Sequence, residues 1–217
     1  MRVVVADLGL GNLRSVERAL ARAAAEAESE HEVVVGRAPE VLASADLLVF
    51  PGQGSFRAGA AALATAAGRV VAEHLKSGRP YLGICLGLQL LFDSSDEAPG
   101  AAGLGHFRGV VRRLGGEHLA AVGTRKVPHM GWNRVSGTCT GPLSIVAGEY
   151  VYFVHSFAAV PDEQGLVGLA VDYGAELTAA VACANVVAVQ FHPEKSQLAG
   201  QRLLRAVLAW ADGNRPR

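Results

Sequence analysis

In "RPYLGICLGLQLLF", residues 79–92, a cysteine framed by glycines sits where an apolar run gives way to a helical pattern. Gly83 and Gly87 flank Cys85 at the spacing of a nucleophile elbow, in which small residues let the chain turn sharply from strand to helix. Such a turn presents the side chain at the carboxyl edge of a sheet. The helix that follows points its free N–H groups at the sulfur and favours the thiolate. A free cysteine without that frame is commonly a small core residue, which is the reading for Cys139 in "SGTCTG" and Cys183 in "VACANV".

A thiol nucleophile needs a base, and the base needs an orienting acid. The stretch "VVAVQFHPEKS" offers both. On an extended backbone His192 and Glu194 lie on one face, and Pro193 between them keeps the segment out of helix. By itself this reads better as a helix start with a solvent-facing histidine. Coupled to the cysteine elbow it reads as acyl-transfer chemistry, with His192 taking the proton from Cys85 and Glu194 holding the ring.

The oxyanion of such a reaction needs donors. One is the backbone N–H of Leu86, just after the elbow. A second comes from "FPGQGSF", where Pro51, Gly52, Gln53 and Gly54 either aim a main-chain N–H into the site or form an ordinary turn. "GLGNLR" begins like a dinucleotide fingerprint, but Arg14 stands where the third glycine belongs. The Rossmann reading is therefore set aside, and the three cysteines form no ligand-like cluster and no even-numbered framework, so neither a zinc site nor a disulfide scaffold is indicated. No metal or organic cofactor is called for.

The elements that must position these residues follow from hydrophobic periodicity. "RVVVAD", "HEVVVG", "ADLLVFPG" and "RPYLGIC" have the look of strands buried on both faces of a parallel sheet. Leu13, Val16, Leu20, Ala23, Ala24 and Ala27 define an amphipathic helix that Asn12 is placed to cap. A second helix is expected over "FRAGAAALATAAGRVVAEHLKSG", stopped by Gly78 and Pro80. The first half therefore reads as βαβαβ. Past Gly103 the runs "HFRGVVRRL", "YVYFVHSFAAV", "LVGLAVDYG", "LTAAVAC" and "NVVAVQF" imply antiparallel or mixed strands appended to that sheet. A closing helix, "SQLAGQRLLRAVLAWADG", is expected to bury Leu198, Leu203, Leu204, Val207, Leu208 and Trp210. The expectation is an α/β fold with an open, mainly parallel sheet flanked by helices and antiparallel strands in the C-terminal half.

Composition agrees with a compact chain. Of 217 residues, 50% are hydrophobic and 18% charged, with a net charge of zero. This suits one domain over 1–217 and removes the broad electrostatic reason to expect nucleic acid or an acidic membrane. The N-terminal apolar run ends at Asp7, too short for a signal core or a membrane span, which points to the cytoplasm.

Taken in order, the PGxG strand end, "GICLGLQLLF" and "QFHPEKS" resemble the class I, or triad, glutamine amidotransferases. "DLGLGNLRSV", "KVPHMGWN", "YFVHSF" and "QFHPEKSQ" are similar to the glutaminase subunits of imidazole glycerol phosphate synthases, and the likeness runs from residue 7 to the C-terminal helix. The resemblance implies hydrolysis of L-glutamine through a cysteine thioester. It also implies a heterodimer that delivers ammonia to a cyclase subunit with a (β/α)8 barrel, in histidine biosynthesis. It assigns Cys85, His192 and Glu194 to the triad and the N–H groups of Gln53 and Leu86 to the oxyanion. Gly52, Gln89 and the backbone at His155 and Ser156 would hold glutamine, while Asn12, Met130, Trp132, Tyr152 and Lys195 would face the cyclase. Met130 and Trp132 read equally as core, and Asn12 as a cap.

Three positions depart from the family pattern: Leu8 in place of tyrosine, Gln53 in place of a hydrophobic residue, and Leu177 in place of phenylalanine. A Gly52–Gln53 peptide able to turn its N–H away implies a glutaminase that is weak alone, since one missing oxyanion donor costs about 2.7 to 4 kcal/mol. The glutaminase partner of pyridoxal phosphate synthase, a partner-independent thiol hydrolase and a silent scaffold remain as rival readings.

Overall fold

The computed structural model describes residues 1–27 and 30–214. Its strands are β1 (Arg2–Ala6), β2 (Glu32–Gly36), β3 (Leu47–Gly52), β4 (Tyr81–Cys85), β5 (Ser94–Ser95), β6 (Gly109–Arg113), β7 (His129–Ser136), β8 (Tyr150–His155), β9 (Phe157–Pro161), β10 (Val167–Asp172), β11 (Glu176–Cys183) and β12 (Val186–Val189). The helices are α1 (Leu13–Glu26), α2 (Pro39–Ala43), α3 (Phe56–Leu63), α4 (Ala66–Lys76), α5 (Leu86–Gln89) and α6 (Gln197–Gly213).

Nine strands form the main sheet in the order β2-β1-β3-β4-β12-β11-β10-β7-β8. The first five are mutually parallel and the rest run antiparallel. β12 is the seam, parallel to β4 on one side and antiparallel to β11 on the other. The valine- and leucine-rich runs of β1, β3, β4 and β12 are buried on both faces, as parallel strands covered by helices require. β2 differs from that expectation: it is the edge strand, and only Gly36 within it is buried. One face of the sheet packs Val3 and Val5 against Val16 and Leu20 of α1 and Leu203 and Val207 of α6. The other packs Val4 and Leu48 against Leu42, Phe56 and Val71 of the remaining helices.

Several expectations are corrected. The long second helix is two, α3 and α4, because Thr65 accepts from Gly68 N through its side chain and starts a new helix. Asn12 occupies the cap position of α1 but makes no capping bond; its Nδ2 donates to Ser15 Oγ at 2.7 Å instead. Leu198, placed on the buried side of α6, is 73% exposed, and Ala199 and Gly200 take that side. "YVYFVHSFAAV" is not one strand: it breaks at Ser156, where β8 in the main sheet gives way to β9 in a small sheet ordered β5-β6-β9.

Candidate active site

The carboxyl ends of β3, β4 and β12 meet at one place. Register sets Gly52 beside Cys85 and Val189 beside Ile84, so Gln53 and Gln190 leave the sheet next to the cysteine. Cys85 itself has φ 55° and ψ −106°, a conformation a side chain adopts only when its surroundings impose it. Those surroundings are backbone. A Cβ on Gly87 would overlap the Phe50 carbonyl, and one on Gly83 would press on the Gly87 carbonyl. Gly52 is required for the same reason, since a Cβ there would strike Leu86, and its φ is not in the left-handed region.

Cys85 is 8% exposed at the edge of a cavity of about 510 Å³. Gln53, Leu86, Gln89, His155, Ser156 and His192 also line it, with Lys195 at its margin. Sequence reasoning missed Glu97, whose side chain lies in the same wall and accepts from Phe56 N at 2.7 Å. The only local sign was an acidic residue in the loop "DSSDEAPGAAGLG", without spacing to any other site residue.

His192 Nδ1 meets Glu194 Oε1 at 2.8 Å, and both side chains are 2% exposed. Burial by itself would lower the histidine pKa, but the negative charge of the Cys85 sulfur and of the Glu194 carboxylate outweighs it and raises it to about 9. His192 Nε2 has no hydrogen-bond partner, nor has Glu194 Oε2. The pair is held by a closed set of bonds: His192 N donates to Tyr152 O at 2.9 Å, Tyr152 N to Ser196 Oγ at 3.0 Å, and Ser196 Oγ to His192 O at 2.7 Å. Strand β8 thereby fixes the turn that carries His192.

On the far side of the cavity a second group of buried side chains appears. Burial lowers the His129 pKa to about 4, and burial with the neighbouring His129 lowers that of His155 to about 3, so both rings are neutral at neutral pH. Each neutral ring has one donor and one acceptor. His155 Nδ1 lies 2.9 Å from the Phe157 carbonyl, which only accepts, so the proton is on Nδ1. His155 Nε2 then accepts from His129 Nδ1 at 2.9 Å, and His129 Nε2 from Asn133 Nδ2 at 2.8 Å. The donors point one way, from Asn133 on β7 to the carbonyl beside the cavity.

Of the residues expected to face a partner, Met130, Trp132, Tyr152 and Lys195 lie together on that side. Trp132 and Tyr152 are opposite each other in the β7–β8 register and meet edge to face at 6.0 Å. Lys195 Nζ lies 5.7 Å from the Tyr152 ring. Met130 is 60% and Trp132 42% exposed, so neither belongs to the core. Asn12 is exposed in the loop before α1, next to Gly11, which packs against Gln53 N. No cluster able to hold a metal occurs among the described residues.

This geometry has relatives. The family model of class-I glutamine amidotransferases matches residues 8–209. The chain is 44% identical over 207 residues to the "Imidazole glycerol phosphate synthase subunit HisH" of Syntrophotalea carbinolica, covering 94% of this chain and 97% of that one. It is 46% identical to the protein of the same name from Halobacterium salinarum, covering 94% and 90%. Among solved structures, a glutamine amidotransferase has a TM-score of 0.71 at 22% identity, covering 97% of this chain and 98% of that one. "PurLQS from Thermotoga maritima" reaches 0.72 at 18%, covering 96% and 98%. At those identities the solved structures speak to the fold.

Proposed function

This chain belongs to the class I glutamine amidotransferases, and on that premise we infer that it is the glutaminase subunit of imidazole glycerol phosphate synthase, in histidine biosynthesis. The observation that carries the reading is the meeting of Cys85, the His192–Glu194 pair and Gln89 around one cavity, within a chain 44% identical over nearly its whole length to such a subunit.

In this mechanism L-glutamine lies with its carboxamide at Cys85. Glu97 suits the substrate's α-ammonium, because Phe56 N binds only Oε2 of its carboxylate. Gln89 Nε2 has donated to Phe157 O at 2.9 Å and Gln190 Oε1 at 3.0 Å, so its Oε1 is the atom left for substrate. The backbone at His155 and Ser156 and the Gly52 strand end complete the hold. The thiolate attacks the carboxamide carbon and the N–H groups of Gln53 and Leu86 take the oxyanion. His192 gives its proton to the departing nitrogen, forming ammonia and the thioester. Water, losing a proton to His192, then forms the new C–O bond; the C–S bond breaks, and glutamate leaves.

Ammonia passes to the cyclase subunit. We place that partner, as a (β/α)8 barrel in a heterodimer, over the patch of Met130, Trp132, Tyr152 and Lys195, reaching Asn12 on the Gln53 side of the cavity. An exposed tryptophan beside methionine and tyrosine is the composition of an interface anchor. Such a complex would work in the cytoplasm; no described helix is long and apolar enough to cross a membrane.

The test is glutamate release by this chain alone, with the cyclase subunit, and with cyclase plus its ribotide ligand. A low rate that rises steeply in the last mixture is expected, as the Gly52–Gln53 peptide settles in its active orientation. An isolated chain already at full rate would refute the gating. Indifference to the cyclase would refute the choice of synthase and return the pyridoxal phosphate enzyme to contention.

A further inference from the structure

Cys85 has a neighbour besides His192. The side chain of Gln190, 0% exposed, donates from Nε2 to the Cys85 sulfur at 3.5 Å. Burying an amide in a sheet end is unfavourable unless its polar atoms are used, and a neutral thiol is a weak acceptor. A thiolate is a strong one, because a hydrogen bond to an ionised group is about twice as strong as a neutral one.

The amide cannot turn away. Its Oε1 accepts from Gln89 Nε2 at 3.0 Å, and Gln89 is anchored in turn at the Phe157 carbonyl at 2.9 Å. That carbonyl also receives the His155 Nδ1 proton, at the end of the one-way run from Asn133 through His129. With its oxygen committed to Gln89, Gln190 has only its N–H to present to sulfur.

We propose that Gln190 is a further catalytic residue of this glutaminase, whose side-chain N–H stabilises negative charge on the Cys85 sulfur. Resting on the reading of Cys85 as nucleophile, the role has two moments. Before attack the N–H favours the thiolate over the thiol. During thioester hydrolysis the C–S electron pair returns to sulfur, and the same N–H receives the leaving thiolate. Between these steps the sulfur is uncharged and the bond is weak, so the interaction acts on the thiolate states and on the departing sulfur, not on the thioester.

The experiment uses the complex with the cyclase subunit and compares wild type with Gln190→Leu and Gln190→Met. Two readouts are taken: the rate of Cys85 alkylation by iodoacetamide at pH 7, and kcat and KM for glutamine. Alkylation and kcat are expected to fall by about ten-fold or more, the size of losing one hydrogen bond to a charged group, with KM within about two-fold. Methionine, unbranched and close in length, covers the case in which leucine prevents assembly. Unchanged alkylation in the assembled variants, or a loss confined to KM, would overturn the proposal. A wild-type Cys85 that hydrolyses no glutamine and resists alkylation would overturn the nucleophile reading as well, so the two failures are distinguishable.

Discussion

At the ends of β3 and β4 the site is held by backbone against backbone, whereas across the cavity β7, β8 and β9 hold it by side chains. On the first side no atom can be added: the Gly87 position faces the Phe50 carbonyl, and the Gly83 position faces the Gly87 carbonyl. On the second side His129, His155 and Asn133 pass one hydrogen bond to the next, and what matters is which nitrogen carries the proton. Close packing makes the first side rigid and indifferent to pH; neutral buried imidazoles make the second side adjustable and sensitive to acid. It is also the second side that carries the exposed Trp132 and Met130.

The largest expected effect removes the chemistry and leaves the geometry. Cys85→Ala should abolish synthesis from glutamine while the complex still uses added ammonium salts; loss of both would show that the elbow needs its sulfur to assemble. Next comes Gly87→Ala, which forces a methyl group into a main-chain carbonyl. A loss of about 3 kcal/mol in urea unfolding, with glutaminase activity falling alongside, is expected. If Gly87→Ala is tolerated, the backbone side is not rigid and the comparison breaks.

His129→Phe should be milder. The ring stack on Phe153 at 4.6 Å and Tyr173 at 4.0 Å is kept, but His155 Nε2 loses its donor, at about 1 to 2 kcal/mol. The same variant sharpens the acid prediction. His129 and His155 have folded-state pKa values lowered to about 4 and about 3, so below pH 6.5 the unfolded chain binds more protons. Stability present above pH 6.5 is therefore lost as pH falls toward 4, and the slope should be shallower in His129→Phe when urea midpoints are compared. His192 runs the other way. Its pKa, raised to about 9, keeps the proton for the leaving nitrogen until that pH, so kcat should decline above about pH 9. The smallest effect is expected from Leu198→Gln: at 73% exposure it should change stability by less than about 0.5 kcal/mol.

Legibility in the sequence followed the same division. The elbow and the parallel strands are local patterns, because glycine frames and valine runs act within a few residues. The His192–Glu194 pairing was expected from an extended backbone, but Pro193–Lys195 is a short 3-10 helix that starts at His192, and that turn brings the two side chains together. The break of "YVYFVHSFAAV" at Ser156 was not visible, since every residue in it suits a strand and only the second sheet pulls β9 away. Leu198 misled for a related reason: helical spacing names a face, and the His192–Ser196 turn decides what covers it.

Alone, then, the sequence determined which residue types could do the chemistry and on which turns they sit. Tertiary structure decided their partners. Gln190 reaches Cys85 across 105 positions, Gln89 reaches Phe157 across 68, and His129 meets His155 across 26. Such contacts exist only once β12 lies against β4 and β7 pairs with β8, and a hydrogen bond has no direction until folding has removed water from its atoms.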